Sequence, residues 1–270
     1  MRTNTISLLV LGLTLLCADP AHALFGIGEK THTNSIGMEF VLIPAGSFLQ
    51  EVNIVNEFNE KLYNPKMTVS KPFYLGKYEV TQEQWVAVMG NNPARVKGRT
   101  NPVENVSWND VQEFIKRLNA KEKHNRYRLP TEAEWELAAR GGTETMFFFM
   151  KKDEGTWADA ARQLDAYAWF KMNSGETTHT VGQKKPNQYG LYDVYGNVWE
   201  WVQDYWHEDW PQDREITDYR GPASGSYRVF RGGDWSRDAE YCRSAFRYYN
   251  GSPGLLTSDV IGFRLALSPE

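Results

Sequence analysis

The chain has 270 residues, 24% of them charged, and a formal net charge of −4. No basic stripe lies beneath that balance, Lys184-Lys185 being too small a cluster, so nucleic acid is not an expected partner. Of the two cysteines, Cys17 falls in the leader described next, so an intramolecular disulfide is excluded and a large core must do the stabilising.

Residues 1–23 combine a basic start at Arg2, an apolar run from Ile6 to Cys17 and a small-residue exit at Ala21-His22-Ala23, the features of a cleavable signal peptide. A periplasmic or secreted product is therefore expected. The apolar run is too short for a permanent span and no later segment is apolar for long enough, so no membrane span is predicted. Leu16 is bulky where lipid attachment at Cys17 wants a small residue. Residues 24–36 are polar with scattered glycines and read as a tether. Residues 37–267 read as one domain, since neither an internal repeat nor a Pro/Gly/Ser-rich linker divides them.

Within that domain Glu39–Ile43 and Ser47–Leu49, around the turn Pro44-Ala-Gly46, predict a hairpin. Residues 51–66 read as a surface loop. A second strand pair is expected through Phe73-Tyr-Leu75 and Lys77–Val80. Three helices are signalled by capping boxes: Thr81 with Gln84, closed by Gly90; Ser107 with Asp110; and Thr131 with Glu134, closed by Gly141-Gly142. In the second, Val111, Phe114, Ile115 and Leu118 form one apolar face. Short helices between strands without a βαβ rhythm predict an α+β domain. After Gly142 about a hundred residues are aromatic and irregular, the kind of long loop that carries function. Arg228–Arg231, Ser244–Arg247 and Gly262–Ala266 read as closing strands.

The stretch Gly190–Trp201 concentrates two tryptophans, two tyrosines, Asp193 and Glu200 with neither helical nor strand period. Gly190 and Gly196 permit a tight turn, and its carbonyls together with the two carboxylates are what a calcium ion selects. A Trp-rich core turn with its acids in solvent is the alternative reading of the same spacing.

Asn105–Asp110, Tyr127–Trp135 with Ala138–Gly141, Gly190–Trp201, Arg231–Trp235 and Gly262–Arg264, in that order, resemble the formylglycine-generating enzyme or sulfatase-modifying factor family. The resemblance implies a much-elaborated C-type-lectin-like fold, poor in regular structure. It implies a structural calcium held by Asp193 and Glu200 side chains and Gly196 and Val198 carbonyls, and it places Trp199 in the substrate cleft. Authentic members bind copper(I) through two cysteines, activate oxygen and convert a substrate cysteine to formylglycine. Here the segment is Gly233–Cys242, and the pair is missing, so copper is not expected. Counted from Gly232-Gly233, Cys242 matches the second cysteine and Arg237 replaces the first. Counted back from Arg247, Cys242 falls in a continuous strand Cys242–Arg247, and that alignment is preferred. Asp234 replaces the serine that polarises the family's reaction site.

Other branches resembling this chain use three histidines on non-haem iron, for which His32, His124, His179 and His207 lack the spacing, or mature a siderophore oxidatively after export. A further branch uses the C-terminal strands as a ligand-binding face, and Tyr241, Arg243, Phe246, Tyr248, Tyr249 and Asn250 have the character of such surfaces. Two functions follow. One is oxidative maturation of a secreted peptide, protein or siderophore in a cleft lined by Trp199, Asp234, Trp235, Arg237, Tyr241 and Cys242. The other is ligand or protein binding without chemistry in the same cleft. A monomer is expected in either case.

Overall fold

The expected helices begin where their caps place them. In the computed structural model, which describes residues 30–51, 64–151, 156–208, 215–249, 254 and 256–269, α1 is Gln82–Met89, α2 is Trp108–Glu122 and α3 is Glu132–Arg140. Each N-cap hydroxyl accepts from the third helical N–H, and the third side chain returns to the cap N–H. Gly90 and Gly141 end α1 and α3 in the left-handed region, at φ 82° and 59°. A fourth helix, α4 (Trp157–Leu164), starts with the same device, Thr156 and Asp159, inside the region that reads as irregular. The expected leader and Cys17 lie outside the described residues, as does most of the loop 51–66.

Three sheets frame the helices. β1 (Thr31–Thr33), β2 (Glu39–Ile43), β5 (Phe73–Gly76), β12 (Ala266–Leu267) and β6 (Tyr127–Arg128) form an antiparallel sheet in that order. β10 (Arg247–Tyr249), β9 (Arg228–Arg231), β7 (Trp199–Tyr205) and β11 (Ile261–Gly262) form the second, with β11 parallel to β7. β3 (Gly46–Leu49), β4 (Lys66–Val69) and β8 (Glu215–Thr217) form the third. The domain is α+β, as expected.

Several local expectations are corrected. The tether is partly structured, because Thr31 pairs with Val41 at the edge of the first sheet. Glu39–Ile43 and Ser47–Leu49 are not a hairpin: β2 already has β1 and β5 on its two edges, so β3 pairs with β4 in another sheet. Lys77–Val80 is not a strand but runs up to the α1 cap, with Val80 N–H donating to the Phe263 carbonyl. Cys242–Arg247 is not a continuous strand either. Ala239–Cys242 is a 3-10 turn, Phe246 N–H donates to the Arg243 carbonyl, and the strand begins only at Arg247. Gly262–Ala266 is broken where the chain crosses from the second sheet to the first, and Arg264 sits buried at that crossing.

One core gathers around α2, where Trp85 stacks on Phe114 at 5.3 Å and Phe263 meets both edge-on. The other gathers around α3, in which every residue but Glu134 is buried. Burying Glu132, Glu136 and Arg140 requires compensation, and a ladder of charges supplies it. Arg247 donates to Glu132 at 2.6 and 2.9 Å, and Arg231 to Glu132 at 2.9 Å and Glu136 at 2.5 Å. Arg140 donates to Glu136 at 2.9 and 2.8 Å. The spacing 132, 136 and 140 sets the three helical charges on one face.

Candidate functional site

The Gly190–Trp201 loop is folded against the rest by contacts that only particular residues allow. Gly196 has φ 80°, and a Cβ there would meet the Trp169 carbonyl oxygen at 2.1 Å, so the chain requires glycine. Asp193 and Asn197 also take left-handed backbone, at φ 53° and 57°. Asn197 N–H donates to the Trp169 carbonyl at 2.7 Å, and its carboxamide donates to Glu79 Oε2 at 3.0 Å while accepting from His179 N–H at 2.9 Å. His179 itself is a loop histidine, stacked on Trp169 at 3.7 Å.

Of the expected calcium residues, Asp193 and Glu200 are both buried. Glu200 is held at both oxygens by Arg264, at 2.6 and 2.7 Å, and also accepts from the Trp135 indole at 2.7 Å. Asp193 accepts from Gly182 N–H through Oδ2 at 2.6 Å, while its Oδ1 is buried and has no hydrogen-bond partner among the described residues. Glu79, which the sequence reading passed over, joins them: it is buried and accepts from Val198 N–H at 3.3 Å. Burial pushes the Glu79 carboxyl well up, and the charges of Asp193 and Glu200 push it further. Burial likewise raises Asp193 to about 6, against the pull of the Gly182 N–H and of Arg264. Among the described residues no group of three or more His, Cys, Asp or Glu side chains is placed to hold a metal ion.

Beside this loop the structure brings four of the expected cleft residues together. Trp199 is 1% exposed and stacks on Tyr248 at 5.6 Å, with Phe230 edge-on at 5.4 Å and Phe246 at 6.1 Å. Arg237 lays its guanidinium 5.4 Å from the centre of the Tyr241 ring and 5.8 Å from that of Tyr248, with Nε 3.6 Å from Asp234 Oδ2. Asp234 is buried. Its Oδ1 accepts from Ser236 N–H and Oγ, both at 2.6 Å, and its Oδ2 makes no hydrogen bond among the described residues. Burial raises its carboxyl, with the Ser236 hydrogen bonds, the Arg237 charge and the Trp199 side chain opposing.

The remaining two expected residues are placed differently. Trp235 flanks the group, its indole donating to the Asp259 carbonyl at 3.2 Å under Arg95. Cys242 lies behind Gly233, where an added Cβ would stand 2.6 Å from its sulfur. The thiol is fully buried, and burial together with the charges of Asp234 and Asp238 drives its pKa far up. Phe246 and Tyr248 had a sequence signal only as parts of a surface. Their place against Trp199 depends on β10 pairing with β9, which the sequence reading set one turn too early.

The chain matches the sulfatase-modifying factor enzyme 1-like domain model over residues 28–269. It is 31% identical over 250 residues to the chaperone protein LppX of Paenibacillus barcinonensis, covering 74% of this chain and 80% of that one. It is 34% identical over 196 residues to the formylglycine-generating enzyme of Thermomonospora curvata, covering 68% of this chain and 61% of the enzyme. Among solved structures, Treponema denticola variable protein 1 superposes with a TM-score of 0.75 at 36% identity over 89% of this chain and 99% of that one. PvdO from Pseudomonas aeruginosa gives 0.72 at 26% identity over 88% and 98%. By the span of the family model and by these relatives, the chain belongs to the sulfatase-modifying factor enzyme 1-like, or formylglycine-generating-enzyme-like, family.

Proposed function

We propose that the chain is an exported polypeptide-binding module on the formylglycine-generating-enzyme scaffold, and that its cleft does no cysteine-pair copper chemistry. The observation that carries this reading is the composition of the half-buried aromatic cluster at the expected cleft. Half-buried Phe246 and Tyr248 pack on Trp199 and Tyr241 packs on Phe246, and tyrosine and tryptophan are among the residue types that dominate protein-binding hot spots, while the neighbouring thiol is sealed behind Gly233. One soft ligand in a raised-pKa, water-excluded position is a poor copper(I) site. The relative named as a chaperone protein supports a polypeptide as the ligand. The test is titration of the mature chain, starting near Leu24 and free of lipid, with a panel of unstructured peptides under air. Saturable binding that is lost in Tyr248→Ala, with no change in peptide mass, is expected. A peptide that gains or loses mass in a Tyr248-dependent way would instead establish oxidative maturation.

We also propose that calcium is a structural ion of this domain, held by Asp193 and Glu200 side chains and Gly196 and Val198 carbonyls. The buried Asp193 Oδ1, with no hydrogen-bond partner among the described residues, fits a hard cation, and so does the surplus of carboxyl groups where Glu79, Asp193 and Glu200 face the single Arg264. Arg264 and Trp135 fix the orientation of Glu200, the part that outer hydrogen bonds play at metal sites.

A further inference from the structure

Arg237 makes an odd use of its surroundings. Its side chain is 41% exposed, yet Nε is buried and unpaired among the described residues, facing an equally unpaired Asp234 Oδ2 at 3.6 Å. That distance is too long for a hydrogen bond. The guanidinium meanwhile lies over two tyrosine rings, Tyr241 and Tyr248, the second of which is stacked on Trp199. A buried carboxylate that leaves one oxygen without a hydrogen bond among the described residues, beside a guanidinium held over two electron-rich rings and with the Trp199 side chain toward it, is a receptor for a cation, and the chain has set its own cation there without closing the hydrogen bond.

We infer that this cage takes a lysine or arginine side chain of the bound polypeptide, and that Arg237 is an internal occupant which the ligand displaces. The inference rests on the polypeptide-binding reading above. Three features support displacement over permanent tenancy. Asp234 Oδ1 is fixed by Ser236, so the free Oδ2 keeps its direction when Arg237 leaves. Arg237 is anchored by no hydrogen bond to Asp234, and the exposed part of its side chain gives it a path outward into water. The rings are held by others: Tyr241 against Phe246 at 4.9 Å, and Tyr248 against both Trp199 and Phe230. A cage whose walls stand without its occupant is pre-organised for another one. An ammonium or guanidinium arriving on a flexible peptide can approach Asp234 closely enough to donate, which Arg237 does not. Its charge is then met by a carboxylate out of bulk water, where such a contact is strongest.

The test uses the mature chain and four blocked tripeptides, acetyl-Gly-Arg-Gly-amide, its lysine and aspartate counterparts and the citrulline isostere of the arginine peptide, measured by calorimetry. Arg237→Ala should bind the arginine and lysine peptides about tenfold more tightly than the wild type does, and citrulline no better. Asp234→Asn in that background should erase the preference for charge. Tyr248→Leu, at a half-buried position, should weaken the cationic peptides about fivefold and leave citrulline unchanged, which decides the matter even where the Asp234 variant does not fold. Equal binding of arginine and citrulline peptides by Arg237→Ala would overturn the inference. So would a wild type that prefers an aspartate-containing peptide and loses it with Arg237. Binding of uncharged peptides that depends on Tyr248 but ignores charge would remove the cage while leaving the polypeptide-binding reading intact.

Discussion

Arg231 donates Nη2 to Glu136 at 2.5 Å, and neither side chain has any exposed surface. The pair joins β9 to α3 and stands in the middle of the ladder from Arg247 to Arg140. Removing one member of such a pair leaves its partner charged and dry, which costs about 3–5 kcal/mol. Glu136→Leu should therefore lower the unfolding free energy by about that amount, read from the urea midpoint at an unchanged m-value. Replacing Glu136, Arg231 and Arg140 together with apolar residues of similar volume should recover most of the loss. A single substitution as mild as a surface change would mean that water reaches the ladder.

The ladder also shows where sequence reading stops. The caps of α1, α2 and α3 were legible because hydroxyl, carboxylate or amide and N–H lie within one helical turn, and the apolar face of α2 because its period is local. Glu136 and Arg231 are 95 residues apart, so nothing in either neighbourhood announces the other. The same holds for Glu200 and Arg264, 64 residues apart, although both belong to motifs that were read. The hairpin error has the opposite cause. Proximity in sequence suggested pairing, and a strand from elsewhere, β5, held the edge instead. The Thr156 and Asp159 cap of α4 was readable and went unread amid aromatic sequence.

The carboxylates of the Gly190–Trp201 loop give a signed pH prediction. Asp193 is raised to about 6 in the folded chain, so between its ordinary value and 6 the folded state binds more protons than the unfolded. In chelator, stability should thus fall as pH rises through that window, by an amount on the order of 3 kcal/mol from this group. Calcium competes with those protons and should reverse the trend. At a hundred times its dissociation constant it adds about 2.7 kcal/mol. Melting scans from pH 5 to 8 with calcium or chelator should diverge, and Asp193→Asn should merge them. Coincident scans in the wild type would remove the ion.

Asp204 gives an independent pH signal away from that loop. Its Oδ2 accepts from Glu132 N–H at 2.8 Å, its Oδ1 has no hydrogen bond among the described residues, and burial with the Glu132 charge raises it to about 8. The folded state again holds the extra proton, so this group's penalty grows as pH rises from about 4 and is fully present above 8. Asparagine can accept the same hydrogen bond and carries no charge. Asp204→Asn should equal the wild type near pH 5 and exceed it near pH 8.5 in urea melts. A variant less stable at both values would show that the charged form is the one the fold uses.

The proposal that the chain does no copper chemistry has its own test, because the sequence holds a single cysteine beyond the expected leader. Cys242 ends a 3-10 turn beneath Gly233 at no exposure, and its raised pKa keeps it a thiol at neutral pH. A thiol so placed reacts only when the surrounding structure opens, so native-state labelling with an aromatic disulfide should follow local or global unfolding and accelerate with urea. The mature chain given copper, oxygen and a cysteine-containing sulfatase peptide should yield no aldehyde. Cys242→Ala should keep peptide binding while losing a little stability, since buried cysteine acts as a small hydrophobe. Gly233→Ala should do more harm than the loss of the thiol, because φ 80° strains any side chain and its Cβ would meet the sulfur at 2.6 Å. Formylglycine formed by the wild type and lost in Cys242→Ala would show that the turn opens, and that the buried thiol is a resting state of a working site.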